Sequence, residues 1–131
     1  MLSDMKYVIL FLLFAIAAAV FVRLAPSDPA RWHVDPTQAE DPGMTGDLRR
    51  VAGALQAFDR VAQAAPRVSV LAGSVEAGHI TYVARSKLFR FPDYVSVKQD
   101  GADLVILSRL RFGFGDAGVN RRRLDAWLER L

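Results

Sequence analysis

The apolar pattern of the chain begins with an uninterrupted hydrophobic run. Every residue from Tyr7 to Val22 is apolar or aromatic, with Lys6 before the run and Arg23 after it. A helix of a soluble domain needs a polar face, which this run lacks, so the pattern predicts a membrane segment within residues 1–25. Its length lies between those of a transmembrane helix and of a signal-peptide core. We expect a retained single-pass anchor, and the alternative is an export signal cleaved near Ala19.

The next segment, residues 26–46, is rich in proline and shows no helical or strand period. Proline removes backbone donors and favours extended backbone, so this segment is predicted to be a partly stiff linker that lifts the following domain off the membrane. Trp32 within it has two equally supported interpretations: a position at the level of the lipid headgroups, or packing against the domain.

Residues 47–131 carry the periodic patterns of a folded domain. Apolar residues at helical spacing predict amphipathic helices over 47–65 and 119–131. The alternation between them predicts two hairpins. The predicted strands cover 67–75, 80–87, 94–98 and 104–111. The fold class that follows is α+β, with both helices on one face of a four-stranded antiparallel sheet.

Composition removes several classes of function. Cysteine is absent, which excludes disulfides, thiol catalysis and thiolate metal sites. The 17 Lys and Arg against 14 Asp and Glu give a net charge of +3, which is too mild and too evenly spread to indicate a nucleic-acid partner. The histidines, His33 and His79, lie in the linker and in a predicted turn, without the spacing of a metal site. We expect no metal, no cofactor and no nucleic acid.

Glycines and arginines concentrate between the last predicted strand and the last predicted helix, where residues 108–123 read SRLRFGFGDAGVNRRR. The glycines spell G-x-G-x-x-G, but the predicted elements do not include the second parallel strand of a dinucleotide-binding fold. A tight turn into a helix that Asp116 caps explains them as well. The density of arginine leaves an anion or partner site as the other interpretation of this loop.

Two more polar residues are predicted to hold the same loop. Asn120 falls on the apolar face of the last helix, where a buried amide needs hydrogen-bond partners, so we expect it to clamp the loop. Asp93 lies between the two hairpins, in the stretch FRFPDY at residues 89–94. An ion pair between Asp93 and one of the arginines is a stronger expectation than a catalytic carboxylate.

These motifs resemble an uncharacterised family, domain of unknown function 1499, found in bacteria and plastids. The resemblance covers about residues 47–131 and rests on Phe91-Pro92-Asp93 and on the C-terminal stretch, which family members write as S-R-x-G-x-S-D-x-G-x-N-R. Leu110 and Gly115 stand where that pattern has its serines, which weakens any proposal of hydroxyl chemistry. The positions in register with the pattern are Arg111, Gly113, Asp116, Gly118, Asn120 and Arg121. The resemblance implies no activity.

The sequence therefore favours a non-catalytic binding or assembly module of the cell envelope, in the inner membrane with its domain in the periplasm. The expected partners are the membrane and an anionic small molecule, lipid or protein. Three alternatives remain: a soluble periplasmic protein after signal cleavage, a purely structural subunit, and a hydrolase or transferase that uses Asp93 or Asp116 with arginine anion clamps. The candidate binding residues are Asp93, Arg109, Arg111, Asp116, Asn120 and Arg121.

Overall fold

Helices and strands cover most of the chain in a computed structural model that describes residues 1–131. The helices are α1 (Leu2–Leu24), α2 (Pro29–Trp32), α3 (Leu55–Ala64) and α4 (Val119–Leu128). The strands are β1 (Gly46–Ala52), β2 (Val68–Ser74), β3 (His79–Arg85), β4 (Pro92–Asp100) and β5 (Asp103–Leu110). Short 3₁₀ turns lie at Pro36–Gln38 and Gly43–Thr45.

The strands form one antiparallel sheet in the order β1-β5-β4-β3-β2. The α+β prediction is confirmed, with five strands where four are expected. The additional strand is β1, so the helix predicted over 47–65 is wrong in its first half and correct only for α3. Residues Gly46 to Ala52 pair with the backbone of β5 along its otherwise open edge. Such tertiary pairing overrides a local helical pattern.

The helices α3 and α4 cover one face of the sheet, as predicted. Phe58 of α3 and Trp127 of α4 meet edge to face with ring centroids 5.8 Å apart, and both contact Tyr82 of β3. The first N–H of α3, that of Leu55, donates to the side-chain oxygen of Gln99 in β4 at 2.7 Å. The core of this face comprises Leu55, Phe58, Ala62, Ile80, Tyr82, Val95, Val97, Leu104, Ile106, Leu124 and Trp127.

The segment between α1 and β1 covers the opposite face, which corrects its prediction as a spacer. Trp32 is 6% exposed and stacks on Tyr94 of β4, with 4.2 Å between the ring centroids. The His33 Nδ1 atom lies 2.7 Å from the Thr81 hydroxyl of β3. Of the two interpretations of Trp32, the structure shows packing on the domain. The segment packs here because this face of the sheet carries an aromatic ring and hydroxyl groups. The proline content of the segment, from which a spacer was predicted, gives no information about these partners.

Helix α1 is apolar along its length and buries none of its residues. By length and composition it suits a membrane anchor or an export signal. Its last turns touch the domain: the Arg23 guanidinium donates to the Leu88 carbonyl at 3.0 Å, and the rings of Phe21 and Phe112 meet edge to face at 6.1 Å. These contacts join α1 to the end of the sheet where β3 and β5 finish.

Candidate functional site

The glycine-rich loop joins β5 to α4 and is closed by Asp116. Gly113 and Gly118 adopt φ values of +113° and +79°, which favour glycine. The Asp116 carboxylate accepts hydrogen bonds from the backbone N–H groups of Gly118 at 2.8 Å and Asn120 at 3.1 Å, so the predicted capping role is confirmed. Burial disfavours its ionised form, but the hydrogen bonds from Asn120 and the backbone outweigh burial and lower the pKa of Asp116.

Asn120 lies at the centre of a buried set of polar side chains and is fully inaccessible to solvent. Its Nδ2 donates to Asp116 at 2.8 Å, while its Oδ1 accepts from the Ser108 hydroxyl at 2.5 Å and from Arg123 at 2.7 Å. Arg123 in turn donates through both Nη atoms to Asp93, each at 3.2 Å. We call these residues the polar network: Asp93, Ser108, Asp116, Asn120 and Arg123. Asn120 clamps the loop, as predicted.

Asp93 pairs with an arginine as the sequence predicts, and the partner is Arg123. The side chains of this pair are only 13% and 14% exposed. Burial raises the pKa of Asp93, and the nearby Arg123 guanidinium opposes that rise without cancelling it. The network links β4, β5 and α4 and uses the carboxylates of Asp93 and Asp116 internally. The pairing of Asp93 disfavours that residue as the carboxylate of the hydrolase or transferase alternative, whereas Asp116 also lines a cleft of about 460 Å³.

Arg109 and Arg111 lie on the opposite side of the sheet, because alternation along β5 separates Arg109 from Ser108. The guanidinium carbons of Arg109 and Arg31 lie 4.8 and 4.9 Å from the centroid of the Trp32 ring system, and that of Arg111 lies 5.8 Å away. We call Arg31, Arg109 and Arg111 the arginine cluster. Sequence reasoning missed Arg31 and the role of Trp32, since both lie in the predicted linker.

Neutral groups are the hydrogen-bond partners of this cluster. Arg111 donates to the Pro26 carbonyl at 2.9 Å and to the Tyr94 hydroxyl at 3.0 Å, whereas the guanidinium groups of Arg31 and Arg109 make no hydrogen bond within the chain. Burial, and then the charge of Arg31, lower the pKa of Arg109, and Tyr94 opposes them. None of the three arginines of the cluster forms a salt bridge within the chain.

A cleft of about 640 Å³ adjoins Arg109, between the segment that precedes β1 and the strand β5. Asp35 in its wall accepts a 2.6 Å hydrogen bond from Lys98. This bond and a second one from Thr37 lower the pKa of Asp35 to about 2. The cleft is lined by Val34, Asp35, Gln38, Ala39, Glu40, Pro42, Thr45, Leu107 and Arg109.

Arg121 belongs to neither group. It is exposed on α4, where its backbone carbonyl accepts a 3.0 Å hydrogen bond from Arg49. Arg121 lines a second cleft of about 460 Å³ together with Asp116 and its neighbours in the glycine-rich loop. The six predicted binding positions are thus divided: Asp93, Asp116 and Asn120 in the polar network, Arg109 and Arg111 in the arginine cluster, and Arg121 alone.

The comparisons with known proteins give a family and no activity. A search among curated proteins finds no match to this chain. The family described as "Protein of unknown function (DUF1499)" matches residues 22–131, from the end of α1 through α4. The match includes the segment that covers the second sheet face, and with it the whole arginine cluster. Because the match spans most of the chain and confirms the resemblance of its motifs, this chain belongs to the DUF1499 family of proteins of unknown function.

Proposed function

We propose that the chain is a single-pass envelope protein whose domain binds an anionic group at the arginine cluster, without catalysing a reaction. The observation that carries this proposal is the convergence of three guanidinium groups, none of them in a salt bridge, on one buried tryptophan. Like charges held close together repel one another, all the more at the half-buried Arg109, and a bound anion relieves that repulsion.

Arginine is chemically suited to such a ligand. A guanidinium presents a planar fork of donors that matches the oxygens of phosphate or carboxylate, and it also stacks on aromatic rings. Trp32 therefore holds the guanidinium groups in place while their donors remain available. Arg31 and Arg109 have no hydrogen-bond acceptor within the chain, so an anion would supply the missing acceptors without breaking existing bonds.

The cluster lies at the end of the domain from which α1 leaves. Arg111 donates to the carbonyl of Pro26, shortly after the last residue of α1, and the adjacent Phe112 touches Phe21 of that helix. A phospholipid headgroup and a soluble phosphate offer the same chemistry at this position. Both are therefore included as ligands in the experiment.

Two features support membrane anchoring with the domain outside the cytoplasm. The apolar helix is exposed along its length, and its contacts through Phe21 and Arg23 tie it to the folded domain. A short N-terminal tail before an export-like apolar core favours translocation of the residues that follow, which in a bacterium places the domain in the periplasm.

The test uses the full-length protein in nonionic detergent micelles. One arm titrates inorganic phosphate by calorimetry, and the other adds an anionic phospholipid and detects it by native mass spectrometry. The test variant is Arg31→Gln/Arg109→Gln, since neither side chain makes a hydrogen bond within the chain. The matched control is Arg60→Gln/Arg130→Gln, which removes the same charge at exposed positions.

We expect the wild-type protein to bind at least one probe, and the test variant to bind that probe at least about tenfold more weakly. Each lost charge-assisted hydrogen bond contributes about 1.5–3 kcal/mol, so two lost arginines exceed that threshold. The control should bind as the wild type does. Equal weakening in both double variants would show a general charge effect and contradict the proposal, as would the absence of binding to both probes.

A further inference from the structure

A group of exposed apolar side chains surrounds the point where α1 meets the domain. Leu88, Phe89 and Phe91 in the turn between β3 and β4 are 70%, 54% and 41% exposed. Phe112, which is half-buried, follows β5 at the same end of the sheet, because β3 and β5 run in the same direction on either side of β4. We call these four residues the apolar rim.

The rim is continuous with the helix. The Leu88 carbonyl accepts from Arg23, and Phe112 meets Phe21. Two clefts, of about 370 and 260 Å³, separate Phe89 and Phe91 from the last turns of α1, and Arg23 provides the only charged side chain in their walls. The residues of α1 that line these clefts are Ala15, Ile16, Ala18, Ala19, Val20, Val22 and Arg23.

The residues of α1 that face the rim indicate how deep the rim would lie in a bilayer. Arg23 ends the apolar run and belongs at the headgroup level. At 1.5 Å per residue, Ala19 and Ile16 lie about 6 and 10 Å deeper than Arg23. The rim faces this part of the helix, so it lies at the depth that the apolar faces of interfacial helices reach, about 5–10 Å.

The charged residues next to the rim are also those expected at a membrane surface. Residues 86–91 read SKLFRF, which places Lys87 and Arg90 on either side of Leu88 and Phe89, with no acidic residue in the turn. Cations beside an apolar tip favour a membrane whose headgroups carry negative charge. Arg90 adopts a left-handed backbone, φ +60°, and the rings of Phe89 and Phe91 contact each other at 5.8 Å. The turn therefore presents its apolar side chains together.

We propose that the apolar rim inserts into the interface of the phospholipid leaflet from which α1 emerges, so that the domain rests on the bilayer instead of standing off it. This proposal rests on the membrane placement of α1 that the proposed function includes, and it does not depend on the arginine cluster. It gives the protein a second membrane contact and fixes the orientation of the sheet relative to the lipid.

The absence of cysteine makes the test direct, because a single introduced cysteine carries the only label. Three full-length variants receive an environment-sensitive fluorophore and are reconstituted into vesicles that contain an anionic phospholipid: Leu88→Cys in the rim, Phe14→Cys within α1, and Ala77→Cys as control. Ala77 is exposed in the turn at the other end of β3, about 20 Å or more from the rim. Nitroxide-labelled lipids of two depths then quench the fluorophores.

We expect quenching at Leu88 to exceed that at Ala77 at least about threefold and to be strongest with the shallow nitroxide, whereas Phe14 responds most to the deep one. Adding Phe89→Ser/Phe91→Ser should reduce quenching of the label at position 88 to that at position 77 and leave quenching at position 14 unchanged.

Equal quenching at positions 88 and 77, with position 14 quenched, would contradict insertion of the rim but not the membrane anchoring of α1. An unquenched Phe14 would overturn anchor and rim together. Adding Arg31→Gln/Arg109→Gln should leave quenching at Leu88 unchanged, and a loss there would contradict the independence from the arginine cluster.

Discussion

Replacing Asn120 with alanine tests whether the residues of the C-terminal motif hold the fold. The change removes three side-chain hydrogen bonds of a buried amide, to Ser108, Asp116 and Arg123. At about 1 kcal/mol each, these bonds contribute about 3 kcal/mol. Domains of this size are stable by about 5–15 kcal/mol, so the loss is a large fraction of the free energy of unfolding. The measurement is urea unfolding of the full-length protein in nonionic micelles, followed by the fluorescence of Trp127 and Trp32.

The matched control is Gln63→Ala, which removes the same amide group from an exposed position on α3. Gln63 donates only to Asp59 at the surface, so its loss should change the free energy of unfolding by no more than about 0.5 kcal/mol. If Asn120→Ala costs less than about 1 kcal/mol, the polar network does not stabilise the loop. The motif would then have to be explained by binding instead of folding.

Two further changes probe how the sheet is built and covered. Gly73→Ala should lower the free energy of unfolding by clearly more than about 1 kcal/mol, because Gly73 has a φ of +86° and an added Cβ would lie 2.0 Å from a backbone oxygen of β3. Gly78 also has a positive φ, +74°, but open space surrounds it. Gly78→Ala should therefore cost only about 1 kcal/mol in the same urea titration. Asp35, whose pKa is lowered to about 2, should stabilise the fold above about pH 4 and lose that contribution as the pH falls towards 2. The effect should stay below about 1 kcal/mol, because Asp35 and Lys98 are each about a third exposed, and Asp35→Asn should remove this pH dependence. Equal costs for the two glycines, or a pH profile that Asp35→Asn leaves unchanged, would contradict these expectations.

The sequence was sufficient to predict those helices and strands whose local hydrophobic pattern agrees with their place in the tertiary structure. The four strands β2 to β5 and the helix α4 follow their hydrophobic periods, and the hairpin of β4 and β5 turns at Gly101, whose φ is +60°. The sequence was insufficient for β1, because its apolar residues satisfy a helical period and a strand edge equally well. Gly53, which separates β1 from α3, was the available signal for a break between two elements.

The residues of the candidate site differ in the same way: some could be predicted from the local pattern, and others depend on long-range packing. Strand alternation alone separates Ser108 from Arg109, so the two groups of polar residues on opposite faces could be predicted once β5 was recognised. Arg123 was harder to select, since it is one of three consecutive arginines and only its distance to Asp93 distinguishes it. Arg31 could not be predicted, because it reaches Trp32 only through the packing of a proline-rich segment on a distant strand.

Arg111 connects the features that this fold combines. It is a motif residue at the end of β5, and its guanidinium contacts the Tyr94 hydroxyl, the carbonyl of Pro26 and, at 5.0 Å, the ring of Phe112. It therefore lies between the arginine cluster, the exit of α1 and the apolar rim. If the rim inserts as proposed, Arg111 is held just above the lipid headgroups, where an anion reaches the cluster along the membrane surface. A domain lifted away by a spacer would lose that access, so under the proposed function the packing of residues 26–45 on the sheet serves binding as well as folding.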